Sequence, residues 1–106
     1  MAAQQTAELI LEIAGKYAQV LRQNMRLARL YVYGSHATGE HDDDSDIDIA
    51  VVADCFSGDL IEDTFRLMKL RREVDIRIEP HPFLPSEFTE ENPVAREVMR
   101  TGIRVV

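Results

Sequence analysis

The chain has 106 residues, of which 45% are hydrophobic and 29% are charged, and its formal net charge is −7. This composition is ordinary for a globular protein, and no apolar run approaches the ~20 residues that span a bilayer. The acidic balance argues against direct binding to nucleic acid. We expect one domain over residues 1–106, in the cytoplasm, because the N-terminus has no basic segment followed by an apolar one and Cys55 is the only cysteine.

The first half of the chain predicts two helices and two strands. Apolar residues recur at helical spacing near the N-terminus, and two runs typical of strands follow, the first of which ends at Gly34. The predicted elements are a helix over 5–23, a strand over 29–33, a short helix over 35–39 capped by Ser35, an acidic loop over 40–45 and a strand over 46–53.

The second half predicts a helix, a strand, another helix and a short last strand. The first helix runs from Ser57 or Asp59 to about residue 70, and the strand after it covers 73–79. The next helix runs from Pro93 to near Gly102, and the last strand covers 103–106. We expect the first of these helices to bury Leu60, Ile61, Thr64, Phe65 and Met68, and less centrally Leu67. Regular structure is expected to stop at the prolines Pro80, Pro82 and Pro85. The order of elements predicts an α/β (α+β) fold, with helices packed on a small mixed sheet of three to four strands.

Two carboxylates in the second predicted strand indicate a metal site. Residues two apart on a strand point to the same face, so Asp46 and Asp48 project together with Cα atoms about 6–7 Å apart. Carboxylates this close repel each other unless one is protonated or a cation lies between them. Because Mg²⁺ takes oxygen ligands and shares them with substrate phosphates, the pair predicts a site for a divalent metal. A solvated acidic hairpin without metal is the alternative.

Asp75 and the Gly34-Ser35 pair extend this prediction. Asp75 lies on the polar face of the strand predicted over 73–79. If that strand neighbours the one with Asp46 and Asp48, three carboxylates can bridge two metals ~3.5–4 Å apart, as in displacement at phosphorus. Gly34 lets the backbone approach a phosphate, and Ser35 begins a helix whose first N–H groups favour an anion.

These motifs resemble the signature of a known superfamily. Gly34-Ser35, a gap of ten residues and then Asp46-Ile47-Asp48 is similar to the pattern of the DNA polymerase beta-like nucleotidyltransferases. The short chain resembles their minimal subgroup, the MNT domains. Asp75 is similar to the third carboxylate of that superfamily, and the segment from Asn92 to Ile103 resembles the C-terminal ending of MNT domains.

The resemblance implies an activity and a partner. Gly34 and Ser35 would hold the triphosphate, Asp46 and Asp48 would bind two Mg²⁺ ions, and Asp75 would ligate one of them and help to deprotonate the attacking hydroxyl. MNT domains are often paired with a helical HEPN toxin, and several transfer AMP from ATP onto a tyrosine of that toxin. The expected function is therefore a protein adenylyltransferase that acts as an antitoxin.

Two other functions stay open. The chain would also serve as an antitoxin that neutralises its toxin by binding alone, without chemistry. Alternatively it would transfer a nucleotide to a small molecule such as an aminoglycoside, although 106 residues leave little room for a second substrate pocket.

The remaining polar residues give weaker indications. His36 is either a phosphate contact or a surface histidine, and we expect His81 to be packed or exposed between two prolines. We expect His41 and Asp42–Asp44 to be solvated loop residues, and Tyr31 and Tyr33 to belong to the core. The basic candidates for contact with the triphosphate, which the sequence does not rank, are Lys69, Arg71, Arg72 and Arg77.

Overall fold

The computed structural model of the chain describes residues 2–38 and 46–106, and the acidic loop predicted over 40–45 lies outside them. The described elements are α1 (Ala2–Asn24), β1 (Leu27–Tyr33), α2 (Ser35–Thr38), β2 (Ile47–Ala53), α3 (Leu60–Arg71), β3 (Ile78–Phe83), α4 (Pro93–Thr101) and β4 (Ile103–Arg104). This order confirms the predicted alternation of helices and strands. Across the described ranges, no helix combines the length and the apolar character needed to cross a bilayer.

The sheet is mixed, as predicted. Its strand order is β3-β2-β1-β4. β1 pairs antiparallel with β2 and with β4, whereas β2 pairs parallel with β3. Nearly all of β2 is buried, because it lies inside the sheet and both of its faces are covered. That position explains the continuous apolar run after Asp48.

The core occupies both faces of the sheet. On one face, strand residues such as Leu30 and Ile49 pack with Tyr17 and Leu21 of α1 and Leu67 of α3. On the other face, an apolar cluster combines strand residues with residues from α4 and the loop before it, namely Tyr31, Ala50, Val52, Phe83, Phe88, Ala95 and Val98. Both clusters leave uncovered the end of the second face where Asp48 lies, so polar groups can gather there.

The predicted buried side of α3 is wrong. Leu60, Ile61 and Phe65 are 67%, 82% and 61% exposed, whereas Asp63 and Leu67 are buried. The Asp63 carboxylate accepts hydrogen bonds from the backbone N–H groups of residues 57 and 58, and the buried Tyr17 hydroxyl donates to the Leu67 carbonyl. These bonds help to fix the rotation of the helix, and they follow from long-range contacts that hydrophobic spacing alone does not reveal.

The predicted third strand is also displaced. Residues 72–77 form turns after α3, and β3 begins only at Ile78. Pro80 and Pro82 lie inside β3 and do not end it. Because β3 is an edge strand, a proline without an N–H group is tolerated there. The prediction that these two prolines stop regular structure is therefore wrong.

Substitutions on the two sides of α3 test its orientation. Leu67→Ala should lower the free energy of unfolding by about 2–5 kcal/mol, because it leaves a cavity in the core. Phe65→Ala should lower it by less than about 1 kcal/mol, because that ring is exposed and contacts mainly the Lys69 ammonium group. Urea denaturation followed by circular dichroism measures both values, and an equal loss in the two variants would contradict this packing.

Candidate active site

The register between β2 and β3 brings two carboxylates side by side. Asp48 on β2 is the parallel partner of Glu79 on β3. Two residues further along, Ala50 is the partner of His81, so Asp48, Glu79 and His81 share one face of the sheet. Asp46 lies directly before β2, and its side chain contributes to the raised pKa of the Glu79 carboxyl. The acidic pair predicted from the sequence therefore meets a third carboxylate, which comes from Glu79.

The donor set on this face fits a divalent metal ion. Asp48, Glu79 and His81 each offer one ligand atom, and these three atoms lie within 4.8 Å of one another. A six-coordinate ion of the size of Mg²⁺ places ligand atoms about 3 Å apart when adjacent and about 4 Å apart when opposite. Small side-chain rotations would bring the three atoms to such distances, with Asp46 at the margin of the same cluster.

Burial and the neighbouring negative charges shift the pKa values of two groups in the site. Partial burial, the hydrogen bond with Asp46 and the charge of Asp48 raise the pKa of Glu79 above its ordinary value. Burial, followed by the charges of Asp48 and Glu79, raises the pKa of the Tyr33 phenol well above its usual range. A cation between the carboxylates would relieve this repulsion.

Gly34 lies directly against Asp48. Its φ is +72°, a conformation that side chains disfavour, and a Cβ atom built there would lie 2.5 Å from the Asp48 Oδ2 atom. Tyr33, the residue before it, is the antiparallel partner of Asp48. The glycine turn and the acidic cluster thus belong to one site, as the sequence predicted for Gly34.

Ser35 and His36 follow in the short helix α2. Ser35 is its first residue, and the Ala37 N–H group donates to the Gly34 carbonyl. His36 is buried, at 7% exposure, so it is not the surface histidine of one interpretation. The role predicted for Ser35, a hydrogen bond to phosphate, stays a prediction.

Asp75 lies away from the strand on which it was predicted. It belongs to the turn before β3, where its carboxylate accepts hydrogen bonds from the Arg77 backbone and guanidinium at 2.8, 2.9 and 3.1 Å. The side-chain bond with Arg77 holds the pKa of Asp75 below its ordinary value. The ligand group on β2 and β3 does not include Asp75. The strand position that supported its metal role is wrong, and Asp75 forms an ion pair with Arg77.

Sequence reasoning missed Glu79 and His81 as members of the site. The predicted strand over 73–79 has Glu79 on its polar face, at its last position. His81 was expected to lie outside regular structure. The signal for both was the alternation over residues 78–83, in which Ile78, Pro80 and Pro82 share one side while Glu79 and His81 share the other.

A cleft of about 390 Å³ opens beside the cluster, between the edge strand and α3. Its lining combines polar groups with apolar residues of the helix, namely Asp46, Leu60, Thr64, Met68, Arg71, Glu79, Pro80 and His81. Of the four candidate basic residues, Arg71 lines this cleft and also donates to the Ile78 carbonyl at 2.8 Å. Lys69 lies over the Phe65 ring, and Arg77 is bound to Asp75. Of these four candidates, Arg71 is the one that lines the cleft.

Comparison with protein families identifies the class to which this site belongs. The family model described as "Polymerase beta, Nucleotidyltransferase" matches residues 15–106, which include the glycine turn and the acidic residues of both strands. The chain therefore belongs to the polymerase beta nucleotidyltransferase family, and the superfamily named in the predicted resemblance is confirmed.

A solved structure shares the fold. A candidate nucleotidyltransferase from Sulfolobus solfataricus superposes with a TM-score of 0.71 at 19% sequence identity, over 98% of this chain and 86% of that one. A search of curated proteins gives no significant match. The structural likeness confirms the predicted fold class of a mixed sheet covered by helices.

Metal binding separates the two candidates for the third carboxylate. Glu79→Gln should weaken Mn²⁺ binding at least about tenfold, because it removes a charged ligand from the cluster. The matched change Asp75→Asn should alter it by less than about threefold, since Asp75 is neutralised by Arg77 and solvent screens the lost charge. Isothermal titration with MnCl₂ measures both affinities. A larger loss in Asp75→Asn than in Glu79→Gln would restore the arrangement predicted from the sequence.

Two glycine substitutions test the contact between Gly34 and Asp48. Gly34→Ala should cost about 1–3 kcal/mol of stability, because of its positive φ and the crowding with Asp48. It should also weaken Mn²⁺ binding by displacing that carboxylate. Gly15→Ala is the control, since nothing lies within 4 Å of a Cβ there and the helix should gain about 0.5–1 kcal/mol. Full metal affinity in Gly34→Ala, measured by the same titration, would show that the turn is not part of the site.

Proposed function

We propose that this chain is a metal-dependent protein adenylyltransferase that moves AMP from ATP onto a tyrosine of a HEPN-type toxin and thereby acts as its antitoxin in the cytoplasm. Membership of the nucleotidyltransferase family supports nucleotidyl transfer as its class of chemistry. The observation that carries the proposal is the cluster of Asp48, Glu79 and His81 beside Gly34, at the edge of a cleft that Asp46 also lines. The acceptor, the partner and the nucleotide are proposed.

The residues of the cluster suit transfer at the α-phosphorus of ATP. The acceptor hydroxyl oxygen forms a bond to that phosphorus, the bond to the bridging oxygen of the β-phosphate breaks, and pyrophosphate leaves with the electron pair. Divalent metal, when bound, would supply the charge that the triphosphate and the leaving group require. Asp48 and Glu79 would hold it together with Asp46, and the Glu79 carboxylate would also accept the proton of the acceptor hydroxyl. Positioning and charge neutralisation then supply most of the rate enhancement.

The size of the cleft favours an acceptor that comes from outside. Ligand pockets commonly enclose about 300–1,000 Å³, and the cleft of about 390 Å³ is at the low end of that range. It accommodates one substrate more readily than two. A tyrosine side chain presented by another protein would reach the α-phosphate without a second pocket in this chain.

An exposed apolar stripe on α3 also favours a protein acceptor. Leu60, Ile61, Thr64, Phe65 and Met68 form this α3 stripe, and three of them also line the cleft. Ile61 and Phe65 are 82% and 61% exposed, although apolar side chains of this size are usually buried. A contiguous exposed apolar surface is typical of a protein interaction site. A toxin helix docked there would lie next to the metal cluster.

The α3 stripe also supports a second candidate function. A partner bound to it would cover the mouth of the cleft, and neutralisation by occlusion alone would need no transfer of AMP. The two functions share a docking surface and differ in whether the carboxylates are required.

A labelling experiment tests the transfer. The purified chain with MgCl₂ and ATP labelled at the α-phosphate should add labelled AMP to a tyrosine of the candidate HEPN protein. Asp46→Asn should lower the labelling at least about 100-fold, because it weakens the metal site that stabilises the transition state. Glu97→Gln, an exposed carboxylate on α4, is the control for removal of one charge and should label normally. Unchanged labelling by Asp46→Asn would refute the metal role.

Growth assays separate transfer from occlusion. Ile61→Asp on the α3 stripe should weaken protection under either function, because it places a charge in the docking surface. The double variant Asp46→Asn, Asp48→Asn should lose protection if transfer is required. Full protection by that double variant would identify occlusion as the function.

A further inference from the structure

We propose that His81 is a metal ligand of this site, so that the site accepts nitrogen and oxygen donors together and favours Mn²⁺ over Mg²⁺. The inference rests on the metal site used in the proposed function, but it concerns which ion the site selects and which side chain selects it. The carboxylates of Asp48 and Glu79 would be the oxygen ligands. The His81 Nε2 atom would be the nitrogen ligand.

Distances place the imidazole within the cluster. The His81 Nε2 atom lies 3.3 Å from the Asp48 Oδ1 atom. Charge-assisted hydrogen bonds between nitrogen and oxygen are usually about 2.7–2.9 Å long, so this contact is a loose one. It is close to the separation of about 3 Å expected for two adjacent ligands of one octahedral ion. The pair can therefore accept an ion between them with little rearrangement.

The backbone presents His81 in a restricted conformation. Pro80 and Pro82 flank it, and each fixes its own φ near about −65°. Both lie inside β3, so the strand pairing with β2 further restrains the segment. A ligand held on a restrained strand loses less conformational freedom when it binds an ion than a ligand on a loop.

The neighbours of the ring leave its Nε2 atom directed at the cluster. The small residue Ala50 is the strand partner of His81, so only a methyl group lies beside the imidazole on that strand. The Tyr33 ring meets the imidazole edge to face, with centroids 5.4 Å apart and planes at 64°. The His81 side chain is 38% exposed and lines the cleft, which gives an ion a path of entry.

The type of donor determines the type of ion. Carboxylate and water ligands suit both Mg²⁺ and Mn²⁺, whereas imidazole suits transition ions such as Zn²⁺ and Fe²⁺ rather than Mg²⁺. Mn²⁺ tolerates both kinds of donor and has the same charge and a similar coordination number to Mg²⁺. Replacing one oxygen donor by His81 should therefore cost Mg²⁺ affinity more than Mn²⁺ affinity.

Pulsed electron paramagnetic resonance of the protein with MnCl₂ tests the assignment directly. Bound Mn²⁺ should show a coupling to an imidazole nitrogen in the unmodified chain and in His41→Asn, and the coupling should disappear in His81→Asn. Absence of the coupling from the unmodified chain, or its persistence in His81→Asn, would overturn the proposal. A loss in His41→Asn would equally overturn it, because the ligand would then be a different histidine.

Titration calorimetry adds a second readout that requires neither ATP nor an acceptor protein. His81→Asn should weaken Mn²⁺ binding by about tenfold or more, while the binding of MgCl₂ changes by less than about threefold. Equal losses for the two ions would overturn the proposal, because they would indicate that His81 only orients Asp48. The two proposals fail separately. Nitrogen coupling without labelling of the toxin would support His81 as a ligand and refute the proposed function, and labelling without the coupling would support the proposed function and refute His81 as a ligand.

Discussion

The parallel pairing of Asp48 with Glu79 is the constraint on which the rest of the site depends. It places two carboxylates on neighbouring strands of one sheet face, with Asp46 directly before the first of these strands. Such a cluster is unfavourable without a cation, and burial together with the neighbouring Asp46 and Asp48 raises the pKa of Glu79. A protein core would gain nothing from this arrangement. For a metal-bound triphosphate the arrangement is useful, because the carboxylates would bind the metal and the glycine turn would let the backbone approach the phosphates.

Several parts of this arrangement could be predicted from the sequence because they depend on local rules. The alternation around Ile47 placed Asp46 and Asp48 in a strand, and Gly34 between a strand and a short helix indicated a close backbone approach. The cap at Asp59, whose side chain accepts from two backbone N–H groups, and Pro93 in the first turn mark the starts of α3 and α4. These features need only spacing and residue type.

The rest depended on contacts between distant segments. The prediction of β3 followed the alternation over 73–79, but the turn after α3 and the Asp75–Arg77 pair occupy those residues. Two prolines concealed the true strand, because only the edge of a sheet tolerates them. The rotation of α3 was set in part by the buried Asp63 and by the Tyr17 hydroxyl, neither of which contributes to an apolar pattern. Both differences concern the two walls of the cleft between β3 and α3.

The same two departures lie beside the active site. The edge strand presents Glu79 and His81, and the rotated helix presents its apolar stripe to solvent, so the cleft between them joins the candidate metal ligands to the proposed docking surface. A local sequence pattern predicts which side chains are buried, and it is expected to fail where side chains are exposed because they serve a function. The oxygen and nitrogen donors and the α3 stripe would then serve one reaction from two sides of the cleft.

Anomalous diffraction from crystals grown with Mn²⁺ and a non-hydrolysable ATP analogue tests the central claim most directly. We expect a manganese peak next to the carboxylates of Asp48 and Glu79, with the triphosphate beside the backbone of Gly34. A peak at Asp75 instead, or a triphosphate bound elsewhere with no metal at Asp48 and Glu79, would contradict it.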